Sequence, residues 1–169
     1  QSKIIGIDFS DGMLREAKKR NISNIVGADC MNLPFKNQSF DLIVSNLVYQ
    51  WVDNLENAFS EVYRTLDNGG NFCATLFGER TLQELFMSLE EVGAGGNFRK
   101  LPNENDIRQA LSKSGFVHFS VFSQMSKIYF FDMFGLLKWL KAIGANTQEK
   151  HSFIGRELFI KANAFYKNH

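Results

Sequence analysis

Phe40-Asp41-Leu42-Ile43-Val44-Ser45-Asn46 is a short run with apolar side chains on both alternating faces and a polar residue at its end. Such a pattern belongs to a strand of a parallel sheet, where both faces are covered. The stretch Asn54–Leu66 follows it. There Leu55, Ala58, Phe59, Val62 and Leu66 recur at helical spacing, with Glu56, Glu61 and Arg64 on the opposite, wet face. Asp67-Asn68-Gly69-Gly70 stops this helix, and Asn71–Phe77 reads as another strand. Strand, helix and strand joined by short loops make a right-handed crossover, and so a mainly parallel sheet.

The same alternation extends toward the N-terminus. Lys3-Ile4-Ile5-Gly6-Ile7-Asp8 reads as a strand closed by a carboxylate, and Ser10 or Asp11 caps a helix carrying Met13, Leu14 and Ala17 at helical spacing. Ile25-Val26-Gly27-Ala28-Asp29 is a further strand that also ends on a carboxylate, and Leu33–Ser39 is a loop broken by Pro34. There is no initiator Met, and domains seldom begin on a central strand. The expectation is therefore that the chain is part of something longer.

Toward the C-terminus the pattern changes. Leu82–Val92 reads as a helix, Gly93–Asn97 as a flexible break, and Asn105 or Asp106 opens a helix that Ser114-Gly115 ends. Phe116–Phe122 and, more weakly, Lys127–Phe131 alternate as late strands at an antiparallel edge. Phe131–Ile143 is apolar nearly all round, interrupted by Lys138 and Lys141, and reads as a buried helix or a lid over an apolar ligand.

Composition bounds the function. The chain has 169 residues, 44% hydrophobic and 22% charged, which fits one folded domain and excludes wholesale disorder. Its 19 Lys and Arg against 18 Asp and Glu leave a net charge of +1, too little for a general nucleic-acid binder. Two cysteines are too few for a disulfide scaffold or zinc cluster and suit a reducing cytoplasm. Cys73, inside a strand pattern, reads as a small buried hydrophobe. No apolar run is long enough to span a bilayer, and no signal peptide is evident. Seventeen Phe predict a well-filled core plus aromatic surface that covers something.

In open α/β sheets, ligands bind beyond the carboxyl ends of the strands. Asp8, Asp29 and Asn46 all fall there. A carboxylate at such a place accepts hydrogen bonds from the vicinal hydroxyls of a ribose. Asp29 can instead accept from an exocyclic amine while the N–H of Cys30 serves a ring nitrogen. Each Asp alone is equally a cap or turn residue, but two on successive strands point to a nucleoside.

Ile7–Leu14, Gly27-Ala28-Asp29 with Leu33-Pro34-Phe35, and Phe40–Asn46 resemble the motifs of class I S-adenosylmethionine methyltransferases. More narrowly, Ser45–Leu55, Phe77–Leu85 and Leu137–Asn146 resemble the malonyl-acyl-carrier-protein O-methyltransferases of biotin synthesis. The resemblance implies an α/β, Rossmann-like sheet, parallel with an antiparallel edge and helices on both faces. It also implies a single domain over 1–169, with 80–110 and 131–150 as substrate-covering insertions. The family's glycine-rich loop and the strand–helix unit that carries it are missing from this chain and are expected before Gln1; the family's last strand is not evident either. A chain with these limits is expected to be inactive.

The implied cofactor is S-adenosyl-L-methionine, held by Asp8, Phe9, Met13, Asp29, Cys30 and Asn46. The implied reaction methylates the free carboxylate of malonyl-acyl carrier protein on the way to biotin, with a small-molecule thioester as alternative acceptor. A carboxylate is already ionised at neutral pH, so no general base and no metal are called for. Tyr49, Gln50 and Trp51 would position the substrate, and Arg99 would grip its carboxylate. Each has a plainer reading, as core packing for the aromatic residues and a solvated loop arginine for Arg99. Two other functions stay open. One is another small-molecule methyltransferase; the other is a noncatalytic assembly factor of respiratory complex I, which Phe77–Leu82 and Gly95–Phe98 also resemble.

Overall fold

The computed structural model describes residues 3–95, 99–142 and 155–168. The chain forms two compact units: residues up to Gly78 with Pro102–Phe122, and Glu79–Leu101 with Ser123 onward.

In the first unit the elements are β1 (Gly6–Asp8), α1 (Asp11–Lys19), β2 (Ile25–Gly27), β3 (Phe40–Asn46), a short 3-10 turn (Tyr49–Trp51), α2 (Leu55–Thr65) and β4 (Leu66–Thr75). Two parallel pairs result, β1 with β2 and β3 with β4. Ser10 caps α1, its side chain accepting from Met13 N–H, and Asn54 caps α2 by accepting from Asn57 N–H. The Asp67–Gly70 segment is absorbed into β4 as an irregularity: Phe40 pairs with Leu66, but Leu42 pairs with Asn71. Gly70 suits the close approach there, because a Cβ would stand 3.0 Å from Asp67 O and 3.2 Å from Asp41 O and push both back by a few tenths of an ångström.

The core of this unit is the face where α2 meets β3 and β4. Ala58, Phe59, Val62, Leu66 and Tyr49 are buried, with Ile43, Phe72 and Ala74 packed against them. The rings of Tyr49, Phe59 and Phe72 meet edge to face at 5.1 to 5.8 Å, an arrangement their quadrupoles favour. A further helix, α3 in the second unit (Gln83–Glu91), precedes α4 (Glu104–Lys113), which returns to the first unit and adds Ala110 and Leu111 to its core. Asn103 starts α4 with a reciprocal capping box to Asp106. The cap thus lies two residues before Asn105. The second unit joins α3, α5 (Met133–Ala142) and α6 (Arg156–Tyr166) through Leu85, Leu89, Met133, Leu136 and Ala162.

Three expectations are corrected. Residues 116–122 and 127–131 form no ladder among the described residues. Phe116, Phe119 and Val121 still pack on the core while Val117 and Phe122 are exposed, so burial here follows neither alternating set. The second face of β3 and β4 is open: Leu42 is 54% and Val44 67% exposed, and Cys73, opposite Val44, is exposed rather than buried. The helix over 131–143 is neither fully buried nor a uniform apolar rod. It buries Met133 and Leu136 and leaves Phe134, Leu137, Lys138, Trp139 and Lys141 outward, while Ile143 lies outside the described residues, as do Gly144, Ala145 and Asn146.

Phe59 is 1% exposed at the meeting point of α2 and the sheet. Phe59→Ala is expected to lower stability by about 3–5 kcal/mol, the cost of emptying such a site. Urea midpoints of the two proteins check it.

Candidate functional site

The parallel register sets Asp8 opposite Gly27, and Ala28 N–H donates to Asp8 O at 3.1 Å. The carboxyl ends of β1 and β2 therefore finish together, and Asp8 and Asp29 stand at the same end of the pair. Each carboxylate is fixed through one oxygen. Ser10 N–H donates to Asp8 Oδ1 at 2.8 Å, and Met31 N–H donates to Asp29 Oδ1 at 2.8 Å. The second oxygen of each has no partner among the described residues. Phe9, 80% exposed, and Met13, also exposed, set apolar surface beside Asp8.

This donor and acceptor set fits a nucleoside. Two preoriented carboxylate oxygens at adjacent strand ends accept hydroxyl or amine donors, and the neighbouring apolar side chains suit an aromatic base. Cys30 is half-buried, and its thiol pKa is raised, first by burial and then by the charge of Asp29. It is held as a neutral thiol rather than a nucleophile.

Asn46 ends β3, where Thr75 Oγ1 donates to Asn46 Oδ1 at 2.5 Å. Leu47 follows with φ 55°, a left-handed conformation that costs energy in a non-glycine residue and gathers at functional sites. Two hydrogen bonds hold it: Leu47 N–H to Thr75 O at 2.9 Å, and Gln50 Nε2 to Leu47 O at 2.8 Å. Gln50 is buried, and its Oε1 has no partner among the described residues. Tyr49 faces the core, where burial, and then the nearby Cys30, raise its phenol pKa. Trp51 is 44% exposed. The three neighbours thus divide: Tyr49 packs, Gln50 holds the turn, and Trp51 presents surface.

Arg99 belongs to the second unit, half-buried and already engaged by the chain itself. Gly96, Asn97 and Phe98 lie outside the described residues. An open groove of about 550 Å³ in the same unit, lined by Glu91, Val92, Leu158, Lys161 and Phe165 among others, gathers none of the candidate residues. Among the described residues no three His, Cys, Asp or Glu side chains group as a metal site. No described helix is long and apolar enough to cross a membrane.

One cluster escaped the sequence reading. Glu61 and Arg64 do not simply face water. Arg64 donates from Nε and Nη2 to both Glu61 oxygens at 2.8 and 2.7 Å, from Nη1 to Phe35 O at 2.7 Å, and from Nη2 to Leu33 O at 3.0 Å. Leu33 N–H donates to Glu61 Oε2 at 2.8 Å. The only sequence signal was the three-residue spacing of opposite charges on α2, which is common on exposed helices. The guanidinium beside Glu61 holds that carboxyl below the usual carboxylate range. A depressed folded pKa contributes stability above the unfolded value of about 4.3, which is lost as pH falls through the folded value. Glu61→Gln is therefore expected to lower the urea midpoint at neutral pH and to flatten its decline below about pH 4.

Comparison with known proteins points to methyltransferases. A family model described as a methyltransferase domain matches residues 1–74. A malonyl-[acyl-carrier protein] O-methyltransferase of Geobacter sulfurreducens is 35% identical over 151 residues, covering 83% of this chain and 57% of that protein. The mitochondrial arginine-hydroxylase NDUFAF5 of Mus musculus is 28% identical over 98% of this chain and 51% of its own length. The chain thus spans about half the length of these curated relatives. Among solved structures, a SAM-dependent methyltransferase of Thermotoga maritima (a possible histamine N-methyltransferase) superposes with a TM-score of 0.54 at 25% identity, covering 66% of this chain and 54% of that one. The chain has the fold of the class I S-adenosylmethionine-dependent methyltransferases and is similar in sequence to malonyl-[acyl-carrier protein] O-methyltransferases.

Proposed function

We propose that the protein to which this chain belongs transfers a methyl group from S-adenosylmethionine to the free carboxylate of a malonyl thioester carried by acyl carrier protein, in a reducing cytoplasm. The observation that carries the cofactor half is the pair of carboxylates at neighbouring strand ends, each pinned by a backbone N–H and each keeping one oxygen for a ligand. Asp8 takes the ribose hydroxyls. Asp29 and the N–H of Cys30 take the purine edge, and Phe9 and Met13 cover the nucleoside. When bound, the cofactor supplies an electrophilic methyl on a sulfonium. Asn46 and the strained turn at Leu47 hold backbone at the third strand end, beside the reacting groups.

The acceptor half is supported by the likeness to the Geobacter sulfurreducens protein. An ionised acceptor needs no proton removed, so the chain's work is alignment and exclusion of water. Trp51 shields the acceptor, Tyr49 and Gln50 fix the turn that carries it, and Arg99 is proposed to exchange its contact within the chain for the acyl carboxylate. The segments within 80–110 and 131–150 serve as substrate cover over one methyltransferase domain, and Lys138 and Lys141 offer positive charge to an acidic carrier.

A second reading has an observation of its own, the match to the Mus musculus arginine-hydroxylase over 98% of this chain. It makes this a methyltransferase fold that moves no methyl group, whether as an assembly factor or in other chemistry. In the full-length protein, labelled methyl from S-adenosylmethionine is expected on malonyl-acyl carrier protein as a base-labile ester. Label on an amine alone would replace the proposed acceptor with another small molecule; no transfer at all, with the nucleoside still bound, would favour the second reading. Asp8→Ala is expected to weaken S-adenosylhomocysteine binding about tenfold to a hundredfold, since a hydrogen bond to a charged group is worth ~1.5–3 kcal/mol. Calorimetry showing unchanged affinity removes Asp8 from the site.

A further inference from the structure

We infer that the Glu61–Arg64 pair on α2 is a positioning device for nucleoside recognition, acting through the loop that carries Asp29 and Cys30. This rests on the reading of Asp29 as a nucleoside contact. The loop leaves β2 at Gly27 and returns to the sheet at Phe40; Leu33 is its one buried residue, and Cys30 and Met31 lie partly buried against the core. Apolar contacts of that kind are non-directional and leave the aim of the Asp29 carboxylate open, so that binding would have to order it. The pair removes that freedom in advance.

The geometry is specific to the task. Glu61 Oε2 accepts from Leu33 N–H, while Arg64 donates to Leu33 O, Phe35 O and Asn37 Oδ1. Leu33 is therefore held at both its N–H and its carbonyl. Two residues upstream, Met31 N–H orients the Asp29 carboxylate, and Asn32 N–H donates to Asp29 O at 3.0 Å. Fixing Leu33 fixes the turn whose N–H groups aim Asp29. On its other side the loop is tied to the same helix end, with Gln38 N–H on Arg64 O and Ser39 N–H on Thr65 O. Glu61 and Arg64 shield each other: their side chains are 19% and 31% exposed, and the Arg64 fork contacts Glu61 at 2.7 Å. Only a planar guanidinium reaches the Glu61 carboxylate and two backbone carbonyls together. An ion pair that merely stabilised α2 would have no need of the loop's carbonyls.

A double-mutant cycle on the full-length protein separates positioning from general stability. Calorimetric titration with S-adenosylhomocysteine is made on Asp29→Ala, Glu61→Gln, Arg64→Lys and their combinations, with Asp8→Ala as the control partner. Glu61→Gln and Arg64→Lys are each expected to weaken affinity about threefold to tenfold in the native background. The effect should vanish in the Asp29→Ala background and persist in full with Asp8→Ala. Equal effects in both backgrounds overturn the inference, because the pair would then act without Asp29. If Asp29→Ala binds as the native protein does, the reading of Asp29 falls, and the inference with it. If Asp29→Ala weakens binding while the α2 variants do not, only the inference falls. Hydrogen exchange without ligand reads the ordering directly: Glu61→Gln should quicken the Met31 and Asn32 amides while leaving those of α4 unchanged. Uniform quickening across both, or none at Met31 and Asn32, would overturn the inference.

Discussion

Phe59 lies where α2 crosses β3 and β4, with Tyr49 and Phe72 against its ring, and it is the largest fully buried side chain among the described residues. Burial of this aromatic group supplies the driving force that orders α2. From α2, two further consequences follow. Its buried side sets the height of β3, and so the place where Asn46 ends. Its opposite side carries the charges that tie down the loop after β2. One helix thus touches both β3 and the loop that follows β2, which no ladder joins among the described residues.

Much of this was legible because hydrophobic periodicity reports burial. The β3 run over Phe40–Asn46 stands where the sequence puts it, and so does the buried stripe Ala58, Phe59, Val62 and Leu66 on the helix that follows. Periodicity fails where burial and pairing part company. Phe116, Phe119 and Val121 lie on a core, yet no strand pairs with them among the described residues; Phe116 N–H donates to Leu111 O and Val121 O accepts from Arg108 instead. It fails also for Val44 and Cys73, whose apolar side chains lie on the uncovered face of a strand pair. The acidic strand ends were legible because their chemistry depends on position alone. The Glu61–Arg64 tie was not, since the carbonyls it grips lie about thirty residues away in sequence and carry no side-chain signature.

The site divides its labour between backbone and side chains. Asp8 and Asp29 are aimed by N–H groups two residues downstream, an Asx-type turn that needs no other side chain. The turn at Leu47 is held in a costly conformation by Gln50 and Thr75, so the backbone there is preorganised. Neither device requires a titrating group near neutral pH. That suits the proposed reaction, in which nothing but a methyl group changes hands.

The bare side of β3 and β4 has a practical consequence. Leu42 and Val44 stand exposed above a strand edge whose donors and acceptors are unpaired among the described residues. Edges of this kind recruit strands from neighbouring molecules, and a greasy flank increases the pull. Preparations of these residues by themselves will therefore clump as they are concentrated, and mild detergent or dilution will keep them dispersed.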